Sequence, residues 1–157
     1  MREPTRANRR ISLVAGLSVL FGATACQVQT FVLSPGTDHG WVMIEEGHES
    51  CPPLPVGTLT TEVSIPASRA MCTSTVIYGG WVFVRYHLAD SQGGRTQLKI
   101  GELIHRQTGF SRNEGAPCHA RGVQFYYGTK EELRQNPNYA PPPEYIAQYH
   151  PDCHGRW

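Results

Sequence analysis

Cysteine and histidine lie side by side at two places in the C-terminal part of the sequence. Cys118 precedes a histidine, and residues 150–154 read His-Pro-Asp-Cys-His. A disulfide between Cys118 and Cys153 would gather imidazoles and a carboxylate, a ligand set that Zn²⁺ or Cu²⁺ accepts. The candidate metal ligands are His119, His150, Asp152 and His154. The competing interpretation is a group of polar residues around a surface disulfide.

A second candidate is an acidic cluster that contains one histidine. Its members are Glu45, Glu46, His48 and Glu49. Paired carboxylates about 5 to 9 Å apart across a cleft could serve in glycoside hydrolysis. Adjacent residues of a strand point to opposite faces, however, so a solvated strand end is the competing interpretation.

Aromatic side chains occur in several strand-like segments and could offer a stacking surface for sugars. They are Trp41, Tyr78, Trp81 and Tyr86. In a small β domain such side chains more often fill the core. Trp157, which follows the last cysteine, is the aromatic residue expected to be most exposed.

The sequence lacks the common catalytic motifs. It has no Gly-x-Ser-x-Gly, His-Glu-x-x-His, Walker, dinucleotide-binding or Cys-x-x-Cys pattern. This absence favours a protein that is not an enzyme and that needs no cofactor. A hydrolase assembled from scattered residues is a further alternative, because a Ser-His-Asp site has no fixed spacing.

The N-terminus has the features of an export signal. Arginines at positions 2, 6, 9 and 10 precede a weakly polar run at residues 11–24. As a helix this run would rise about 21 Å, which is less than a bilayer core of roughly 30 Å. We therefore predict that residues 1–25 are a signal peptide that is removed.

The residues around the expected cleavage site resemble the lipobox of bacterial lipoproteins. Residues 23–26 read Ala-Thr-Ala-Cys, and in that family the cysteine thiol receives a diacylglycerol before signal peptidase II cuts. Acyl chains such as palmitate on Cys26 would then anchor the protein. Ala23 stands where leucine is usual, and it also suits signal peptidase I, so a soluble periplasmic or secreted protein is the alternative. Gln27 suggests sorting to the outer membrane if the host has two membranes.

The number of cysteines agrees with a lipid anchor. The sequence has five cysteines, and lipid on one of them would leave an even set in an oxidising compartment. The four are Cys51, Cys72, Cys118 and Cys153. Three connectivities are possible, and we favour the two local pairs, Cys51 with Cys72 and Cys118 with Cys153. Each bridge should stabilise the fold by about 3 to 4 kcal/mol.

Charge and length restrict the class of protein. Removing the signal peptide leaves ten basic and twelve acidic residues, so no basic surface for nucleic acid is expected. The remaining length suits one domain. We predict an anchor linker at residues 26–30, a β domain at 31–136 and a proline-rich tail at 137–157 that Cys153 tethers.

Short runs of β-branched and aromatic residues, broken by Gly and Pro, predict strands. The strong candidates are residues 31–33, 41–45, 59–65, 81–87 and 123–127, and the weaker ones are 70–77 and 97–104. Residues 91–94 read Ser-Gln-Gly-Gly and predict a hairpin connection. About seven strands favour a mostly β fold, a small antiparallel β-sandwich or barrel.

One short helix is predicted after the last strand. Thr129 and Glu132 form a capping box, the following residues are good helix formers, and Pro137 ends the helix. The prolines from Pro137 onward favour an extended polyproline II tail with little packing of its own.

Several segments resemble a family of uncharacterised bacterial exported and lipoprotein domains, a domain of unknown function. They are residues 31–36 (FVLSPG), 40–44 (GWVMI), 52–55 (PPLP), 63–66 (VSIP), 72–74 (CTS) and 125–132 (FYYGTKEE). The resemblance spans residues 31–135 and implies a mostly β domain in the cell envelope. This sequence departs from the family pattern in its cysteines near the proline loop and its longer, histidine-bearing tail. The family has no assigned activity to carry over.

The sequence therefore supports three hypotheses. The leading one is a structural or interaction lipoprotein of the envelope, whose partners are the membrane and another envelope protein or a glycan. The second is a binding module or inhibitor for a glycan, metal or protein, and the third is a hydrolase without a recognisable motif. A contiguous exposed aromatic or apolar patch would favour the binding module, and a deep polar cleft with a shifted carboxylate or histidine pKa would favour the hydrolase. A flat polar surface would favour the first hypothesis.

Overall fold

The computed structural model describes residues 27–55, 57, 60–77, 82–113 and 118–153. Within these residues the chain forms eight strands in two four-stranded sheets, with two short α-helices and one 3-10 turn. The strands are β1 Gln27–Leu33, β2 Gly40–Glu46, β3 Thr60–Ile65, β4 Ala70–Thr73, β5 Val82–Ala89, β6 Arg95–Leu98, β7 Ile104–Asn113 and β8 His119–Tyr127. The helices are α1 Lys130–Gln135 and α2 Pro143–Tyr149, and the 3-10 turn is Pro151–Cys153.

Both sheets are mixed. The first has the strand order β3-β1-β5-β6 and the second β4-β2-β8-β7. Strand β1 is parallel to β3 and β5, and β2 is parallel to β4, whereas the other pairs are antiparallel. The predicted mostly β fold is confirmed, but the strictly antiparallel arrangement is wrong, and the described strands do not close into a barrel. The cause is that β1 to β4 alternate between the two sheets, so consecutive strands are not neighbours.

The main core lies between the two sheets. Alternate residues of the strands point into it, as strand geometry requires, and Phe31, Tyr86 and Phe125 pack together with ring centroids 4.8 to 5.9 Å apart. Tyr86 is fully buried there, so its predicted alternative role in a sugar-stacking surface is wrong. Tyr78, Trp81 and Trp157 lie outside the described residues.

The outer face of the second sheet is covered by the C-terminal tail. Trp41 donates its indole N–H to the carbonyl oxygen of Asn136, 3.0 Å away. Further along β2, Met43 belongs to a second buried cluster that includes Tyr145 and Ile146 of α2. The tail thus follows the outward-facing residues of β2, covering Trp41 in part and burying Met43 completely.

The structure corrects one prediction about helices and one about strands. The fold has a second helix, because Pro143 occupies the first position of α2, where the fixed φ of proline favours a helix and its missing N–H costs nothing. The expected strand at residues 97–104 is two strands, with Gly101 at φ +89° in the turn between them. Strand β1 begins at Gln27, within the segment expected to be a linker.

Helix α1 agrees with its prediction. The side chain of Thr129 accepts a hydrogen bond from the Glu132 backbone N–H, and Glu132 accepts one from the Thr129 backbone. Hydrogen bonding to His39, and then to Thr129, lowers the pKa of Glu132 to about 2.

No helix among the described residues is long and apolar enough to cross a membrane.

Candidate ligand-binding cleft

Two disulfides tie the connecting segments to the second sheet. Cys51 pairs with Cys72 of β4, and Cys153 pairs with Cys118, which directly precedes β8. The Cα atoms of the pairs are 5.8 and 5.5 Å apart. These are the two pairs that the sequence favoured.

Each disulfide also fixes a histidine three residues before it. The Cys51 backbone N–H donates to the carbonyl oxygen of His48, and the Cys153 N–H donates to that of His150, both at 2.9 Å. The two segments, His-Glu-Ser-Cys and His-Pro-Asp-Cys, therefore form the same type of turn. A disulfide at the end of each turn limits how far its imidazole can move.

The imidazole of His150 meets a buried carboxylate of β2. His150 Nε2 lies 2.7 Å from Glu45 Oε2, and the two side chains are 4% and 3% exposed. The Tyr145 hydroxyl donates to the same oxygen at 2.6 Å. Burial, and then the hydrogen bond to Glu45, raises the pKa of the Tyr145 phenol far above its usual range. Tyr145 therefore stays a hydrogen-bond donor over the whole physiological pH range.

Beside this cluster lies a cleft of about 870 Å³. Its walls are the end of β2, the turn at residues 47–50, the adjoining ends of β7 and β8, and the tail from Tyr149 to Cys153. His48 and His150 both line it, with ring centroids 5.4 Å apart. Most of the residues that line it have polar or charged side chains. The surface at this end of the domain is therefore concave and not flat.

The remaining members of the two predicted clusters that the structure describes border the same cleft. His119 and Asp152 are exposed on its wall, and His154 lies outside the described residues. Glu49 is exposed at the rim. Glu46 and Glu45 have different hydrogen-bond partners. Glu46 accepts a hydrogen bond from the Ile77 backbone N–H at 2.6 Å.

A glycine allows the strands beside the site to approach closely. Gly122 of β8 is paired with Glu45 of β2, and a Cβ atom at Gly122 would collide with the backbone carbonyl of Ile44. No residue larger than glycine fits this position without moving one of the strands. Gly122 therefore helps to set where the Glu45 carboxylate lies.

The cleft contains a serine and a histidine, but not a catalytic triad in this arrangement. The Ser50 hydroxyl lies 2.9 Å from His48 Nδ1, which is the distance of a nucleophile from its base. The nearby carboxylate of Glu45 is engaged by His150 and Tyr145 instead. The hydrolase hypothesis therefore gains a serine-histidine pair without the group that would orient the base.

The structure combines the two sites that the sequence suggested separately. Glu45 and His48 come from the acidic cluster and His150 from the tail, and no sequence pattern links the two groups. The roles of Tyr145 and Ser50 were missed. One signal was available, namely the spacing His-x-x-Cys, which occurs at both His48 and His150.

Comparison with known proteins supports the fold. No family model and no curated protein matches the chain. The crystal structure of a presumed lipoprotein from Bacillus anthracis is similar, with a TM-score of 0.54 and 22% sequence identity over 78% of this chain and 85% of that chain. At this identity the similarity is one of fold: the two-sheet arrangement described above also occurs in a solved bacterial protein.

Proposed function

We propose that this protein is a bacterial lipoprotein, anchored in the cell envelope through Cys26, that binds a ligand in the cleft between β2 and the C-terminal tail. A cleft of about 870 Å³ into which several polar side chains converge is the usual form of a ligand-binding site, and it supports a binding module over a purely structural protein. The similar fold of the presumed Bacillus anthracis lipoprotein agrees with such a location.

The proposal of a lipid anchor rests mainly on which cysteines are paired. The sequence has five, and four of them are joined in the two disulfides. Cys26 is the cysteine that remains, and it is the one preceded by Ala-Thr-Ala. A thiol kept for acylation accounts for the odd number in an exported protein.

The fold would bring the cleft close to such an anchor. Gln29, three residues after Cys26, donates from its side chain to the carbonyl oxygen of Ile77, and the N–H of Ile77 donates to Glu46 of the cleft. Three residues of strand span about 10 Å. A lipid at Cys26 would therefore hold the cleft at the membrane-facing end of the domain, opposite the hairpin at Ser91.

Cell fractionation of the wild type and Cys26→Ser tests the anchor. The wild type should sediment with membranes and be released by detergent but not by high salt, because acyl chains hold it there. Cys26→Ser should lose the membrane-bound mature form. Ser34→Ala serves as a control substitution of a small residue within the domain and should fractionate like the wild type. A wild-type protein that is soluble after export would refute the anchor.

The orientation has a separate test. A fluorophore on Glu49→Cys, at the rim of the cleft, should be quenched by quenchers attached to lipid headgroups in vesicles. The same fluorophore on Ser91→Cys, which is also exposed but lies at the opposite end, should be quenched much less. Equal quenching at the two positions would contradict the membrane-facing cleft.

A further inference from the structure

Two imidazoles and one carboxylate converge on one wall of the cleft. The candidate ligand atoms of Glu45, His48 and His150 all lie within 4.8 Å of one another. Within the described residues this is the set of three that is close enough for one ion. Zn²⁺ binds nitrogen and oxygen at about 2.0 to 2.2 Å, so ligands in a tetrahedral site are roughly 3.4 Å apart. Side-chain shifts of about 1 Å would bring this trio to that geometry.

The three side chains lie on elements that strand pairing and disulfides make rigid. Glu45 lies in β2, which pairs with a strand on each side. His48 and His150 lie in the two His-x-x-Cys turns, which the disulfides close. A binding site is more precise when its ligands are fixed before the ion arrives.

Two neighbouring groups orient the ligands in the way that is usual around protein-bound metals. Ser50 contacts His48 at Nδ1, so Nε2 is the nitrogen that His48 would offer to a cation. Tyr145 donates to one oxygen of Glu45. Hydrogen bonds of this kind fix the direction of metal-ligating imidazoles and carboxylates.

We propose that Glu45, His48 and His150 bind one divalent transition-metal ion such as Zn²⁺ or Cu²⁺, with a fourth coordination position open to the cleft. The proposal rests on the cleft being the ligand site of the proposed function, and it names the class of ligand. Two imidazoles with one carboxylate suit these metals, whereas Ca²⁺ and Mg²⁺ require mostly oxygen ligands. Without metal, the Glu45 carboxylate engages His150, and binding would replace that contact.

This ligand set differs from the one that the sequence suggested. His150 belongs to both, but His119 and Asp152 stand outside the close trio. The variant His48→Gln removes a ligand of the proposed site only, and His119→Gln removes one of the other set only. His48 is half-buried on a turn and His119 is exposed, so neither substitution should prevent folding.

The test uses mature protein purified in detergent and stripped of metal by a chelator. Zn²⁺ is titrated in competition with a coloured chelator, and Co²⁺ is added as a spectroscopic probe of coordination. The wild type should bind one Zn²⁺ per chain and give the strong visible absorption of tetrahedral Co²⁺, while Mg²⁺ should not compete. His48→Gln should weaken Zn²⁺ binding about 100-fold or more, Ser50→Ala about 10-fold, and His119→Gln less than about 3-fold.

Three results would overturn the proposal: no stoichiometric Zn²⁺ binding by the wild type, unchanged binding by His48→Gln, or an equal loss in His119→Gln. Thermal melts of each variant establish that it is folded. Because the titration uses purified protein, it does not depend on the anchor. Metal binding by a protein that lacks acyl chains would refute only the anchor, and an acylated protein without metal would refute only the metal site.

Discussion

Tyr145→Phe should destabilise the protein although it removes a single oxygen atom. The ring of Tyr145 is 4% exposed and stays in place in the variant. The lost interaction is a 2.6 Å hydrogen bond to the buried Glu45 carboxylate. Hydrogen bonds to charged groups contribute about 1.5 to 3 kcal/mol, because a buried charge left without its donor is costly. For a domain of this size that corresponds to a fall in melting temperature of about 5 to 15 °C.

A matched control is available on the same helix. The Tyr149 hydroxyl accepts a hydrogen bond from the exposed side chain of Gln148, so Tyr149→Phe should change the free energy of unfolding by less than about 0.5 kcal/mol. Chemical denaturation of both variants and the wild type at pH 7 makes the comparison. Equal effects at the two positions, or no effect at Tyr145, would show that the tail is not held by this hydrogen bond.

A double-mutant cycle with Glu45→Gln identifies the partner. If Tyr145 acts through Glu45, the two substitutions should be non-additive by about 1 to 3 kcal/mol. Additive losses of unfolding free energy would show that the Tyr145 hydroxyl does not act through Glu45.

The pH dependence of stability gives a second measure of the same contact. The pKa of Tyr145 is raised in the folded protein above its ordinary value of 10.0, so the unfolded chain loses this proton first as pH rises. The stability from this contact is therefore complete below pH 10 and decreases above it. Above pH 10 the wild type should lose about 1.4 kcal/mol per pH unit more than Tyr145→Phe. Parallel curves for the two proteins would contradict the raised pKa.

Three further predictions concern the β2–β8 strand pair, the disulfides and helix α1. Gly122→Ala should destabilise by about 1 to 3 kcal/mol through its collision across the β2–β8 pair, whereas Gly109→Ala, with its nearest contact at 3.6 Å, should not; similar melting temperatures would contradict the close approach. Peptide mapping without reduction should recover both disulfides, and replacing Cys118 and Cys153 together by Ala should cost about 4 kcal/mol; crossed pairs would refute the connectivity. Because the pKa of Glu132 is about 2 in the folded protein, its stabilisation of α1 should be present above pH 4.5 and lost as pH falls towards 2. The stability difference between the wild type and Glu132→Gln, measured at pH 7, 4 and 2, should therefore shrink, and a constant difference would contradict this.

Local elements were the part of the fold that the sequence could predict. Helix α1 has its start encoded in Thr129 and Glu132, which are neighbours along the chain. Strand candidates were found because β-branched and aromatic residues favour strands wherever they pair. The partner of a strand is not encoded in its own residues, and the parallel pairs of β1 and β2 were therefore missed.

The candidate site was hidden for a similar reason. Glu45 and His150 are 105 residues apart in the sequence, and only the packing of the tail on β2 brings them together. A hint of that packing exists in residues 41–44, Trp-Val-Met-Ile, because a strand that is apolar on both faces is buried on both faces. The helix that covers β2 was not predicted, because the run of prolines indicated an extended segment. Pro143 instead begins helix α2.

The central claim, a lipid-anchored and disulfide-bonded domain, is tested most directly by the intact mass of the protein isolated from the membranes of its host. We predict a chain that begins at Cys26, carries the added mass of a diacylglyceryl group, and is four hydrogen atoms lighter than the reduced form because of its two disulfides. A chain that begins at Cys26 without added mass, or one that retains residues 1–25, would contradict the account.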